Sequence, residues 1–97
     1  MVVDRRTFSV KPGKQDEVVE LIKKAAFFSP FTISYRIYTP YFARTDEVIL
    51  EIEFQDLAEC DRYWAGWLQK VTPEWGASWN NLVETGGKAE AYVIVSG

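Results

Sequence analysis

The chain of 97 residues, 47% hydrophobic and 26% charged, is long enough for one globular domain and too short for a second. A net charge of −3 and an isoelectric point near 4.9 exclude the basic face that a nucleic-acid groove requires. Histidine is absent and Cys60 is the single cysteine. Serine–histidine and cysteine–histidine nucleophiles, histidine-ligated haem, histidine-containing zinc sites and an internal disulfide are thereby removed.

The opening Met1-Val2-Val3-Asp4-Arg5-Arg6 reaches charge too early for a secretory signal. No apolar run approaches the roughly 20 residues of a spanning helix, so a cytoplasmic, membrane-free protein is the expectation. Val2 to Val10 is rich in β-branched and aromatic residues and stops at Lys11-Pro12-Gly13, which predicts a strand and a turn. Val18, Leu21, Ile22, Ala25 and Ala26 then recur at helical spacing, the stripe of an amphipathic helix. Its Asp16 and Glu17 come early and Lys23 and Lys24 late, the favourable sense for the helix dipole. Ser29-Pro30 ends it, and Phe31 to Thr39 alternates as a second strand.

Pro40 to Asp46 reads as a loop. Glu47 to Phe54 alternates cleanly, Val48, Leu50, Ile52 and Phe54 against Glu47, Ile49, Glu51 and Glu53, and predicts a strand with one buried face. Asp56 with Glu59 marks a helix start, and Leu57, Cys60, Trp64, Trp67, Leu68 and Val71 fall on its apolar stripe. Thr72-Pro73-Glu74 marks a further start, followed by Trp75, Trp79, Leu82 and Val83; Gly86-Gly87 is expected to end that short helix, and Ala89 to Val95 to form the last strand.

The expected fold class is therefore α+β, a ferredoxin-like βαββαβ domain over residues 1–97 with an extra short helix before the last strand. Its four-stranded antiparallel sheet carries the helices on one face and leaves the other open. Aromatic residues make up 15% of the chain, a load that a core this small does not absorb. Covering two or three such rings stabilises an assembly by several kcal/mol at about 25 cal/mol per Å², so a homodimer closing over the open face is expected.

Arg6-Thr7-Phe8-Ser9-Val10-Lys11-Pro12-Gly13-Lys14, leading into an amphipathic helix, resembles the opening of NIPSNAP-type domains. Asp46-Glu47-Val48-Ile49 running on to Glu53-Phe54-Gln55-Asp56-Leu57 is similar to their third strand and second helix. The resemblance spans nearly the whole chain. It implies a dimeric α+β barrel, the group that includes antibiotic-biosynthesis-type monooxygenases, chlorite-dismutase-like haem proteins and muconolactone isomerases. In these, the resemblance implies, two sheets face each other across a dimer and enclose a lumen for a small ligand. NIPSNAP domains tend to carry His and Trp on strand three, where this chain has Leu50 and Ile52. The haem branch relies on a histidine that is absent. One fold hosts many functions, and no catalytic residue is assigned.

If a dimer closes over the open face, Arg6, Arg36, Glu51 and Glu53 are the expected polar lumen residues, with Tyr38 and Ile49 beside them. Strand one leaves both faces open, Asp4, Arg6, Phe8 and Val10 sharing one side and Val3, Arg5, Thr7 and Ser9 the other; the cost of a charged pair turned toward the helices unless paired, together with the resemblance, favours Arg6 in the lumen. Clustered carboxylates can serve acid–base chemistry or form cross-strand ion pairs with Arg36. Tyr35 is expected in the core, and Tyr41 and Phe42 in interface packing. Trp64, Trp67, Trp75 and Trp79 suit helix packing, with Trp75 and Trp79 as candidates for an aromatic wall and Asn80 and Asn81 beside it. Cys60 reads as a buried structural thiol.

Two functions remain open. One is a homodimer that holds a small apolar or aromatic ligand in its lumen, acting as a cofactor-free monooxygenase or isomerase. The other is a non-catalytic dimerisation module whose lumen is filled by side chains such as Ile49 and Tyr38. No metal or cofactor is expected in either. An RNA-recognition domain shares the element order, but its third strand is basic and aromatic, whereas Glu47 to Phe54 is acidic.

Overall fold

The central strand β3 (Glu47–Phe54) organises the structure, a computed structural model that describes residues 1–28, 33–41 and 46–96. Val48, Leu50, Ile52 and Phe54 are buried, while Glu47, Ile49, Glu51 and Glu53 between them are half-buried on the opposite face. β1 (Val2–Val10) and β2 (Ser34–Tyr38) flank β3, and β4 (Val83–Val93) lies outside β1, giving the order β2-β3-β1-β4 with every pairing antiparallel. With α1 (Gln15–Ala25), α2 (Leu57–Lys70) and α3 (Pro73–Leu82), this is the ferredoxin-like arrangement with one added helix. The predicted second strand is shorter than expected; Phe31 and Thr32, like Phe42, lie outside the described residues.

The helices form where the sequence supplies both a stripe and an end signal. α1 buries Val18, Leu21, Ile22 and Ala25, and the left-handed Gly13 (φ 76°) makes the turn before it, donating its N–H to Asp46 Oδ2 at 2.7 Å. Asp56 caps α2 by accepting from the Glu59 N–H at 2.8 Å, and Thr72 caps α3 by accepting from the Trp75 N–H at 3.2 Å, with Pro73 at the first position. Val10, Val18, Ile22, Val48, Leu50, Ile52, Phe54, Cys60 and Tyr63 make the core between sheet and helices. Full burial of a residue such as Phe54 or Ile52 contributes about 1.5–3 kcal/mol.

Two expectations are corrected here. Leu57 and Leu68 are exposed, and Tyr63 is the buried residue in their place. At about 100° per residue, the arc that packs is centred on Cys60 and Trp67, and the two leucines fall at its margin. Gly86-Gly87 does not end α3. The helix stops at Leu82, whose carbonyl accepts from the Lys11 N–H at 3.0 Å, and the chain passes directly into β4. The glycines instead sit where the β1–β4 register shifts between Thr7 and Ser9. Gly86 takes φ 103°, and a Cβ on Gly87 would lie 2.4 Å from the Thr7 carbonyl oxygen, so the bulge requires glycine for conformation at one position and for close approach at the next.

Candidate functional site: an aromatic-walled cavity beneath the helices

Strand register decides which side of the sheet each candidate occupies. Arg5 pairs with Glu51 and Arg6 with Leu50, and paired residues project to the same face. The open face therefore carries Arg36, Tyr38, Ile49, Glu51 and Glu53 together, joined by Arg5. Glu51, with a side chain only 15% exposed, accepts from Arg5 Nε at 2.7 Å and from the Tyr38 hydroxyl at 3.1 Å. Tyr38 holds the Arg36 guanidinium above its ordinary pKa, with Glu53 and Glu51 adding to the effect. Tyr92 lies on the same face, under the Arg5 guanidinium at 5.2 Å, and hydrogen-bonds Glu90.

Arg6 is on the other side, among the helices, contrary to its expected place beside Glu51. The cost that argued against this position is met by pairing. Asp4, only 4% exposed, accepts from Arg6 Nε at 3.3 Å and from the Trp64 indole N–H at 2.7 Å, and the Arg6 guanidinium stacks 4.4 Å over the Trp64 ring. The Cys60 Sγ lies 3.9 Å from the same carboxylate. Burial pushes the Cys60 thiol up, with Asp4 and Asp61 reinforcing the shift. Burial likewise pushes the Tyr63 phenol up to about 12.

Above this cluster runs a relay of rings. Phe54 meets Tyr63 at 5.5 Å, Tyr63 meets Trp64 at 4.9 Å, Trp64 meets Trp67 at 5.7 Å and Trp67 meets Trp75 at 5.2 Å. Trp75 stacks on Trp79 with 13° between planes, and Trp79 meets Phe8 edge-on at 4.7 Å. Two indoles are tied to the end of α1: Trp67 donates to the Ala25 carbonyl at 3.2 Å and Trp75 to the Leu21 carbonyl at 2.8 Å. The chain of rings meets the sheet at Phe54 and at Phe8 and leaves space between. Between the rings and β1, β2 and β3 lies a partly open cavity of about 550 Å³, walled by Trp64, Trp67, Trp75, Trp79, Phe8, Tyr35, Tyr63, Leu50 and Ile52, with Arg6 the one charged side chain among the described residues of the lining.

The structure thus divides the sequence-derived candidates. Trp75, Trp79 and Arg6 share the cavity; Arg36, Tyr38, Ile49, Glu51 and Glu53 share the open face. Tyr35, expected in the core, is 38% exposed and lines the cavity. Sequence reasoning left the two faces of β1 open and did not find Asp4 and Trp64 as the partners of Arg6 or Glu51 as the partner of Arg5. The alternation Asp4-Arg5-Arg6 places a cation on both sides of β1, and only the acceptor and ring supplied from across the fold distinguish them.

No family model matches the sequence, and no curated protein matches it. Solved structures do share its fold. An uncharacterised NIPSNAP domain protein from Burkholderia xenovorans aligns over 96% of this chain and 93% of its own at 14% identity, with a TM-score of 0.69. For a putative antibiotic biosynthesis monooxygenase from Nitrosomonas europaea the figures are 99%, 100%, 16% and 0.69. For SnoaB, a cofactor-independent oxygenase from Streptomyces nogalater, they are 99%, 94%, 15% and 0.69. The fold is that of NIPSNAP and antibiotic-biosynthesis-monooxygenase-type domains, as the resemblance of the strand-one and strand-three segments led one to expect.

Proposed function

We propose that this protein binds a small, flat, largely apolar molecule in the cavity between its sheet and its helices. The observation that carries the reading is the cavity's size and lining: about 550 Å³ falls within the roughly 300–1,000 Å³ of small-molecule sites, and among the described residues its walls are mainly aromatic and aliphatic side chains with Arg6 as the one cation. The expected lumen lies between the facing sheets of two copies; the cavity described here is formed within one chain, on the helix side. The open face serves the homodimer in this proposal, where exposed Tyr38, Tyr92 and Ile94 gain cover from a second copy. The names of the neighbouring monooxygenase and cofactor-independent oxygenase point to cofactor-free oxygenation as the reaction class. Isomerisation of the same kind of substrate is the alternative chemistry.

Quenching of tryptophan fluorescence by a tricyclic aromatic ketone such as anthrone tests the binding step. Saturable quenching, together with a rise in melting temperature, is expected, because the ring relay forms the wall. Linear, non-saturating quenching across a panel of flat aromatics, with no thermal shift, rejects the proposal.

A further inference from the structure

Resting on the reading that the cavity takes a flat ligand, we propose that the ligand is an anion, an aromatic carboxylate whose acidic group is received by Arg6. The two arginines of β1 show why. Arg5 is spent within the chain, giving both Nε and a terminal nitrogen to Glu51. Arg6 gives only its Nε, at 3.3 Å, to Asp4. Its terminal nitrogens make no hydrogen bond or ion pair with any described residue, and its side chain keeps 35% of its exposure. A guanidinium offers its terminal N–H groups as a planar fork that matches a carboxylate.

Orientation and charge both favour that partner. Asp4 on one nitrogen and the Trp64 ring beneath the plane fix the guanidinium, so a ligand loses little by engaging it. Asp4 does not line the cavity, and among the described residues no other acidic side chain does. Asp4 compensates Arg6 at its Nε edge, so an entering anion gains the directed pair of terminal N–H donors, which a neutral or cationic ligand does not engage. The rings then accept the aromatic body by stacking.

Calorimetric titration with 2-naphthoate and with the neutral 2-naphthamide decides the matter. The expected result is that naphthoate binds at least about tenfold more tightly, the scale of a charge-assisted pair, that added salt erodes this advantage, and that Arg6→Gln abolishes it while naphthamide binding survives. Equal affinity for the two overturns the anionic assignment and leaves the cavity as an apolar site. A naphthoate preference that persists in folded Arg6→Gln overturns it as well, since the anion is then held elsewhere. Failure of both compounds to bind removes the assignment and the proposed function together. The salt dependence on the unaltered chain keeps the test decisive if Arg6→Gln does not fold.

Discussion

Replacing Asp4 by alanine tests the account of the strand-one cluster most directly. The substitution deletes the acceptor of the Trp64 N–H, 2.7 Å away, and of Arg6 Nε, 3.3 Å away. A hydrogen bond to a charged group contributes about 1.5–3 kcal/mol. The Arg6 pair adds less, about 0–1 kcal/mol, because the arginine keeps 35% exposure and water screens it. Asp4→Ala is therefore expected to cost about 2–4 kcal/mol, which for a domain of this size lowers Tm by roughly 10–25 °C. Asp4→Asn retains an oxygen for Trp64 and is expected to cost about half as much. In a double-mutant cycle, Asp4→Ala with Trp64→Phe should show a coupling of about 1–2 kcal/mol. Urea denaturation followed by far-ultraviolet circular dichroism measures each variant without depending on the altered indole. Asp4→Ala within about 0.5 kcal/mol of the parent, or a coupling of zero, would refute the reasoning.

Gly87→Ala forces a methyl against the Thr7 carbonyl and is expected to lose about 1–3 kcal/mol by overpacking; a melting temperature within about 1 °C of the parent contradicts the β1–β4 register. Tyr63 gives a pH signature. Its phenol is raised from 10.0 to about 12 in the fold, so the stability it contributes is complete below pH 10 and is lost as the pH rises toward 12. Urea midpoints between pH 9 and 11.5 should fall less steeply for Tyr63→Phe than for the parent, and identical slopes would show that burial does not hold this proton.

Much of the fold was legible because its signals are local. The β3 alternation needs only period-two reading, and Asp56 and Thr72 announce α2 and α3 within a turn of their own sequence. What was not legible depends on distance across the chain. β1 alternates charge on both faces, so nothing near Arg6 says that Trp64 and Asp4 will hold it among the helices. Gly86-Gly87 looks like a helix stop because glycine is read by its freedom; the requirement at Gly87 comes instead from the neighbouring strand's carbonyl. The tryptophan spacing shows helical stripes but carries no information about how far α3 stands from the sheet. That gap, not the stripe, makes a wall rather than a core.

The gap has its own energetic consequence. An empty apolar void costs about 24 cal/mol per Å³, so 550 Å³ left dry and sealed would cost roughly 13 kcal/mol, as much as a domain's entire stability. The fold avoids that cost by leaving the cavity open to water. It also prevents collapse, because Trp67 and Trp75 are tethered to α1 carbonyls and Trp64 to Asp4; letting the rings fall inward would break those hydrogen bonds. Water against such walls is poorly bonded and readily displaced by an apolar body. A ligand that fills the space is therefore expected to stabilise the fold on top of its mass-action share, about 2.7 kcal/mol at a hundredfold excess over Kd. Releasing one tether, as in Trp75→Phe, should narrow the cavity and weaken ligand binding while sparing the sheet. If Trp75→Phe binds as tightly as the parent, the tethers do not hold the cavity open.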